Sequence, residues 1–319
     1  MRKLLAVMLG TLLIVFSCTG CIFSPDPSYG LETYELKQDV QQQNYMQKYV
    51  QEQEQLLKML EGISEYSMVE HNSKTGETNV IDFGPSIGDF GMSTTGAPTS
   101  SESGIDPHIV IWPDDRVEVS NVRQHPYKTI VFLRIKNADG KTTLGSGVMV
   151  GNSTILTAGH VVKDGKHGGW AEEIRVYPGG KNSGYASAVA TDFACSTQWA
   201  SSYSEEYDYG IINLDRPLSV GYLNMTALSD SQLEGKVFQN YGFPADKTEG
   251  TMWACPGKVW VAESRVFLHD ADTEGGSSGS PMVDANNNII GIHVAWENID
   301  YNRAIRITNT VIAYVNNYL

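Results

Sequence analysis

Apolar and polar positions divide the chain into three textures. Leu4 through Phe16 is an apolar run broken only by Gly10 and Thr11, behind Arg2-Lys3 and ahead of Ser17-Cys18-Thr19-Gly20-Cys21. A charged start followed by an apolar stretch too short to span a bilayer comfortably predicts an export signal over residues 1–21. From Leu31 to about Ile63, Val40, Tyr45, Tyr49, Leu56, Met59, Leu60 and Ile63 recur mostly at spacings of three, four or seven, the pattern of an amphipathic helix. Periodicity then fades, and Glu70 to His108 is rich in Gly, Ser, Thr and Pro. So little apolar surface predicts a flexible, exposed linker.

Beyond Ile109 the pattern changes to short β-rich runs separated by turns. They fall near Thr129–Ile135, Gly145–Val150, Thr154–Leu156, Ile174–Tyr177, Tyr185–Phe193 and Gly210–Leu214. The series continues near Val237–Tyr241, Gly257–Val261, Arg265–His269, Pro281–Asp284, Ile289–Val294 and Ala304–Ile307. About a dozen short strands with no intervening helices predict an all-β domain over 109–319, built as two six-stranded antiparallel β-barrels. The chain closes on Thr310–Leu319, where Val311, Val315 and Leu319 share one helical face and Thr308 or Asn309 is the candidate cap.

Charge narrows the partners. A formal net charge of −14 argues against nucleic acid and anionic membranes, which are held by clustered Lys and Arg. Two of the four cysteines, Cys18 and Cys21, end the signal region, where a lipidated Cys would tether the precursor to a membrane. The other two, Cys195 and Cys255, are read either as a disulfide, permitted by export, or as two separate buried thiols. The seven His are scattered and no Cys-x-x-Cys pair is matched by a second, so neither metal nor cofactor is expected.

The candidate chemistry lies in three separated turns. Gly276-x-Ser278-Gly279-x-Pro281 sets a hydroxyl between glycines, where backbone N–H groups of Gly276 and Ser278 would form an oxyanion hole. Ser277 and Ser280 are competing hydroxyls, read as framing residues because neither is followed by Gly and preceded at two positions by Gly. Thr157-Ala158-Gly159-His160 ends a β-rich run on an imidazole, and Asp208-Tyr209-Gly210 sets a carboxylate before the strand Ile211-Ile212-Asn213-Leu214. Each alone is most simply a turn residue. Together they follow the chain order His, Asp, Ser, which is the trypsin-like arrangement of the triad.

The region from Val110-Ile111-Trp112-Pro113-Asp114-Asp115-Arg116 onward resembles the bacterial glutamyl endopeptidases, serine proteases of trypsin-like fold. Gly145-Ser146-Gly147-Val148-Met149-Val150, Tyr207-Asp208-Tyr209-Gly210, Gly242-Phe243-Pro244-Ala245-Asp246-Lys247, Gly250-Thr251-Met252-Trp253 and Gly291-Ile292-His293 carry the likeness. It implies His160, Asp208 and Ser278 as the triad, and cleavage after Glu, less readily after Asp. The family's substrate pocket uses a His fifteen residues after the nucleophile and a Thr five before it, offsets that fall on His293 and Thr273. Both side chains donate hydrogen bonds to a carboxylate, offsetting its desolvation; without the family they read as a strand histidine and a turn threonine.

The resemblance also implies that a freed N-terminus at Val110, or Ile109, lies beside that pocket. Residues 22–108 would then be a propeptide and the full chain a zymogen, cut by an activating protease to give a secreted enzyme, monomeric when mature, acting on protein and peptide substrates. Trp296 and Glu297 depart from the small residues usual after the pocket His, and a carboxylate there would repel an acidic substrate. Three alternatives stand beside this reading: a trypsin-like protease of other side-chain preference, a catalytically silent binding module, and a permanent oligomerisation helix at 31–63.

Overall fold

The computed structural model describes residues 47–64, 66–83, 110, 111 and 113–319. The signal region with Cys18 and Cys21, the first half of the predicted helix, Ile109 and most of the predicted linker lie outside the described residues. Within residues 45–319, which form one compact unit, a helix (α1) covers 47–59. A hairpin of β1 (Ser67–Asn72) and β2 (Thr78–Asp82) follows, and then β3 (Val117–Glu118).

The first barrel is formed by β4 (Ile130–Lys136), β5 (Thr142–Met149), β6 (Thr154–Thr157), the short pair β7 (Lys163–Asp164) and β8 (Gly169–Trp170) set off to one side, β9 (Glu173–Pro178), β10 (Ala188–Ser196) and β11 (Gly210–Leu214). Its sheet runs β11-β6-β5-β4-β9-β10 and closes through β10–β11. After β12 (Asn224–Met225), the second barrel uses β13 (Val237–Gly242), β14 (Trp253–Ala262), β15 (Val266–His269), β16 (Pro281–Val283), β17 (Asn288–Asn298) and β18 (Tyr301–Arg306). It runs β17-β16-β13-β14-β15-β18 and closes through β17–β18. Closure pairs the first strand of each barrel with its last, and each of the twelve predicted strands corresponds to a barrel strand.

Ile130, Phe132, Leu133, Met149, Ile155 and Ile212 fill the first barrel at no more than 0 % exposure, and Phe238, Phe267, Met282 and Ile290 fill the second. The last helix, Asn309–Asn316, starts from Thr308, whose hydroxyl accepts the Val311 N–H. Its buried face is Val311, Tyr314 and Val315, while Leu319 is exposed. The predicted face is therefore right at two of its three positions; the chain leaves the helix before Leu319.

One expectation is corrected and one open alternative is decided. The linker predicted from Glu70 begins within a hairpin: Glu70 and His71 pair with Asn79 and Thr78 across β1–β2, and β1 also pairs with β10. Its modest hydrophobicity misleads because the partner strand supplies the stability. Cys195, on β10, and Cys255, on β14, are both free buried thiols. Of the two readings open for them, separate thiols is the one observed.

Candidate active site

His160 sits on a single helical turn, Gly159–Val162, that follows β6. Asp208 lies in the turn before β11, and β6 and β11 pair so that Gly210 opposes Thr157. This register brings the two turns together. Asp208 Oδ1 accepts the His160 backbone N–H at 2.8 Å and Oδ2 lies 2.7 Å from His160 Nδ1. Two contacts to one carboxylate fix both the position of the imidazole and its tautomer, with Nδ1 the protonated nitrogen facing the acid. Burial pulls the imidazole pKa down, but the charge and hydrogen bond of Asp208 outweigh it and the net shift is upward.

Trp199, on the helix Thr197–Ser202, walls the imidazole with its ring 6.2 Å away. A Cβ on Gly159 would meet that indole at 2.8 Å and Asp208 Oδ1 at 2.9 Å. The small residue before His160 therefore makes room for both neighbours.

Ser278 stands on the loop before β16, 4 % exposed, and the first barrel holds this loop directly. Ser146 on β5 is the node. Its N–H donates to the Ser278 carbonyl at 2.8 Å and its hydroxyl to the Gly276 carbonyl at 2.8 Å, while its own carbonyl accepts from Thr157 Oγ1 at 2.7 Å. Gly279, at φ +82°, lies so close that a Cβ would meet Thr157 Oγ1 at 2.1 Å and the Ala158 nitrogen at 2.9 Å. The Ser278 loop is thus fastened to the strand end that launches His160. Gly276, at φ +90°, leaves only 2.6 Å between a Cβ and the Phe243 carbonyl. Gly279 thus serves contact between the barrels and Gly276 contact with the end of β13, requirements that add to access for substrate.

Of the predicted pocket residues, Thr273 and His293 are fully buried. His293 on β17 and His269 on β15 meet edge to face, with His293 Nδ1 and His269 Nε2 3.3 Å apart. Burial holds the His269 pKa down at about 3, against an opposing pull from the Arg303 backbone. Thr273 is 0 % exposed and its hydroxyl has no partner among the described residues, a costly arrangement unless something else hydrogen-bonds it. Val110 is half-buried, and the next residue, Ile111, donates its N–H to Asp272 Oδ1 at 2.6 Å, beside Thr273.

Glu297, expected to repel an acidic substrate, is instead paired with Arg303, whose Nε lies 2.7 Å from Glu297 Oε2. Arg303 also pairs with Glu205, three residues before Asp208, and so bridges the two barrels. Trp296 donates its indole N–H to the Asn298 carbonyl. Ser146, His269 and Arg303 were not singled out from sequence; the only signal was Ser146 lying within Gly145-Ser146-Gly147.

A family model, the trypsin-like peptidase domain, matches residues 145–292, which include His160, Asp208 and Ser278. The chain is 33% identical to a glutamyl endopeptidase of Bacillus licheniformis over 66% of its own length and 68% of that protein's. It is 34% identical to an extracellular metalloprotease of Bacillus subtilis strain 168, over 70% of this chain and 75% of the relative. A glutamyl endopeptidase of Staphylococcus aureus is 28% identical, over 64% of this chain and 62% of that one. Among solved structures, a Glu endopeptidase in complex with MPD superposes with a TM-score of 0.60 at 27% identity, over 66% of this chain and 99% of that one.

The name of the Bacillus subtilis relative implies a metal, and the donors here do not fit one. Among the described residues the one group of three potential ligands is Asp115, Cys255 and Asp272. It contains no imidazole. The Cys255 thiol donates to Asp115 Oδ1 at 2.9 Å, and both Asp272 oxygens accept backbone N–H groups, from Ile111 and Asp115. Burial also pushes the thiol pKa well up, away from the thiolate a metal needs.

Two closed barrels, with an aspartate-bound histidine on one and a glycine-flanked serine loop fastened beside it from the other, define a trypsin-like serine endopeptidase. Within that class, the chain belongs to the bacterial glutamyl endopeptidase family.

Proposed function

We propose that this chain is the zymogen of a secreted glutamyl endopeptidase in which Ser278 is the nucleophile, His160 the general base and Asp208 its orienting acid. Ser278 attacks the scissile carbonyl and His160 takes its proton, later returning it to the leaving amine. The backbone N–H groups of Gly276 and Ser278 hold the developing oxyanion. The observation that carries the reading is the double hold of Asp208 on His160, through the backbone N–H and through Nδ1. It leaves Nε2 of the imidazole as the basic nitrogen. Labelling with a fluorophosphonate tests this: the processed protein should react and Ser278→Ala should not. An unlabelled wild-type protein, folded and processed, would leave a binding module as the reading.

Acid selectivity is proposed to come from Thr273 and His293. A buried hydroxyl without a partner supports a ligand atom there. When His269 Nε2 donates to His293 Nδ1, the other nitrogen of His293 is the protonated one and points its N–H at a substrate carboxylate. The Glu297–Arg303 pair removes the like-charge objection to such a substrate. Digestion of a peptide library, with His293→Ala alongside, tests the selectivity; indifference to acidic residues before the cut would remove it and leave the hydrolase.

Activation is proposed to follow cleavage near His108–Val110, which frees an α-ammonium at Val110, or at Ile109 if the cut falls one residue earlier. Ile111 already anchored to Asp272, next to Thr273, supports this end of the chain serving the pocket. Export through residues 1–21, and a lipid tether of the precursor at Cys18 or Cys21, complete the proposal. N-terminal sequencing of active secreted material tests it, and full activity in an uncleavable chain would count against it.

A further inference from the structure

The hairpin before the protease domain is built into the first barrel. Strand β10 pairs with β9 only at Ala188 and Val189, and with β11 along its other edge from Ala190 to Cys195. The edge of β10 that β9 leaves uncovered is taken by β1, in a register running from Met68 opposite Ser196 to Asn72 opposite Asp192. Among the described residues no other strand covers that stretch. Without β1 it would present a row of unsatisfied backbone groups, which folded proteins rarely leave open.

Side chains reinforce the ladder. Ser67, Met68 and Val69 are 0 % exposed and Leu56 of α1 is buried with them in the core shared with the barrel. His71 stacks on Trp170 with ring centres 5.1 Å apart and planes within 6°, and Phe83 packs on Tyr314 at 5.2 Å. Asn72 Nδ2 donates to Asp192 Oδ1 at 2.7 Å and Ser73 donates its hydroxyl to the Thr191 carbonyl at 2.9 Å.

The same segment reaches the wall behind the catalytic histidine. Ser67 Oγ donates to Thr197 Oγ1 at 3.1 Å, at the start of the helix carrying Trp199, and Tyr49 OH donates to Tyr203 OH at 3.1 Å, at its end. A segment with buried apolar side chains, a β-ladder and hydrogen bonds to both ends of that helix has the character of a permanent strand addition.

We propose that residues 47–83 stay bound to the protease body after the chain is cut between them and Val110, so that the active enzyme is a two-chain particle. The inference rests on the activation cleavage proposed above. Loss of a covalent link far from the β1–β10 ladder removes none of its contacts. The companion chain completes the sheet and steadies Trp199 against His160. What activation releases is the N-terminal end at the pocket, together with whatever lies ahead of residue 47 if that is also trimmed.

The test uses the full chain carrying Ser278→Ala, to prevent self-digestion, with a recognition sequence for a site-specific protease inserted between positions 84 and 108. After complete cutting, gel filtration and native mass spectrometry at micromolar concentration should find one particle holding both fragments in equal amounts. Backbone amides of residues 67–72 should keep their protection against hydrogen exchange. Departure of the upstream fragment, whether the body stays soluble or precipitates, overturns the proposal. As a second measurement, the cut complex with Asn72→Ala and Ser73→Ala, which trims two polar contacts without touching the core, should exchange an added labelled 47–83 peptide faster than the unmutated complex. Equal rates would also count against the proposal.

Because the cut is engineered, this result is independent of natural maturation. If N-terminal sequencing finds no processing near Val110, the zymogen reading falls while the association stands.

Discussion

His160 in the first barrel and His293 in the second each lie against a titratable neighbour, and the neighbours differ in kind. A carboxylate lies 2.7 Å from His160 Nδ1; a second imidazole lies 3.3 Å from His293 Nδ1. An acid beside an imidazole stabilises the protonated form, which is what the proposed role of His160 as general base requires. Two imidazoles buried together favour neutrality, since a charge on either would be enclosed beside a group that offers it none in return. In the second pair burial keeps His269 neutral, and in the proposed pocket His293 would direct an N–H at the substrate. On that proposal one side chain does two jobs, and its neighbour decides which.

Removing the carboxylate should break the first half of that contrast most severely. In Asp208→Asn the imidazole loses its charged partner and the protonated Nδ1 is no longer favoured, and kcat should fall about 10⁴-fold with folding intact. The acid limb of the wild-type pH profile should lie above the ordinary histidine value, because Asp208 raises His160 against its burial. Since activity needs the neutral base, rate is lost as pH falls through that raised value. In the variant the limb should move to lower pH. An unmoved limb would mean that His160 does not feel Asp208.

The second pair should reveal itself in stability. His269 titrates near 6.5 when unfolded and at about 3 in the folded chain, where burial disfavours its charge. Between those values the unfolded state binds the extra proton, so stability rises with pH and is lost as pH falls from about 6.5 toward 3. Urea unfolding on the Ser278→Ala background should therefore lose about 3 kcal/mol between pH 7 and pH 4 from this group. His269→Asn should flatten that part of the curve, whatever it costs at pH 7. Identical slopes in the two proteins would show that folding leaves the proton affinity of His269 unchanged.

His293→Ala attacks the same pair from the substrate side. It should lower kcat/KM for peptides with Glu before the cut by about 10²-fold, the scale of losing a buried donor to a charged group, and change uncharged peptides much less. A uniform loss would make His293 a structural histidine.

The sequence was most legible where one element carries its own pattern. Each barrel strand shows an apolar run bounded by turns, and the three chemical turns follow a recognisable order. Contacts between distant positions left no such trace: Ser146 meets Gly276 across 130 positions and His293 meets His269 across 24. From Glu70 onward the hairpin at Ser67–Asp82 reads as linker because its stability belongs to an interface with β10, which composition does not report. Glu297 misled for the same reason, its neutralising Arg303 being brought opposite by the β17–β18 pairing.

Arg303 offers the mildest and most discriminating test, because it touches both halves of the contrast. Its guanidinium binds Glu297 on the strand of His293 and Glu205 just ahead of Asp208, and the two carboxylates together keep its pKa raised against the cost of burial. In Arg303→Met the stem is retained and the charge lost, leaving Glu297 a net negative neighbour of the proposed acid pocket. A partly exposed ion pair contributes about 1 kcal/mol or less, so the expected change is a fall of about three- to fivefold in kcat/KM for Glu peptides. The fall should shrink as salt screens the carboxylate, and uncharged peptides should change less. If acidic and uncharged peptides lose equally, Arg303 serves to hold the barrels in register; if neither changes, the bridge has no part in catalysis or selectivity.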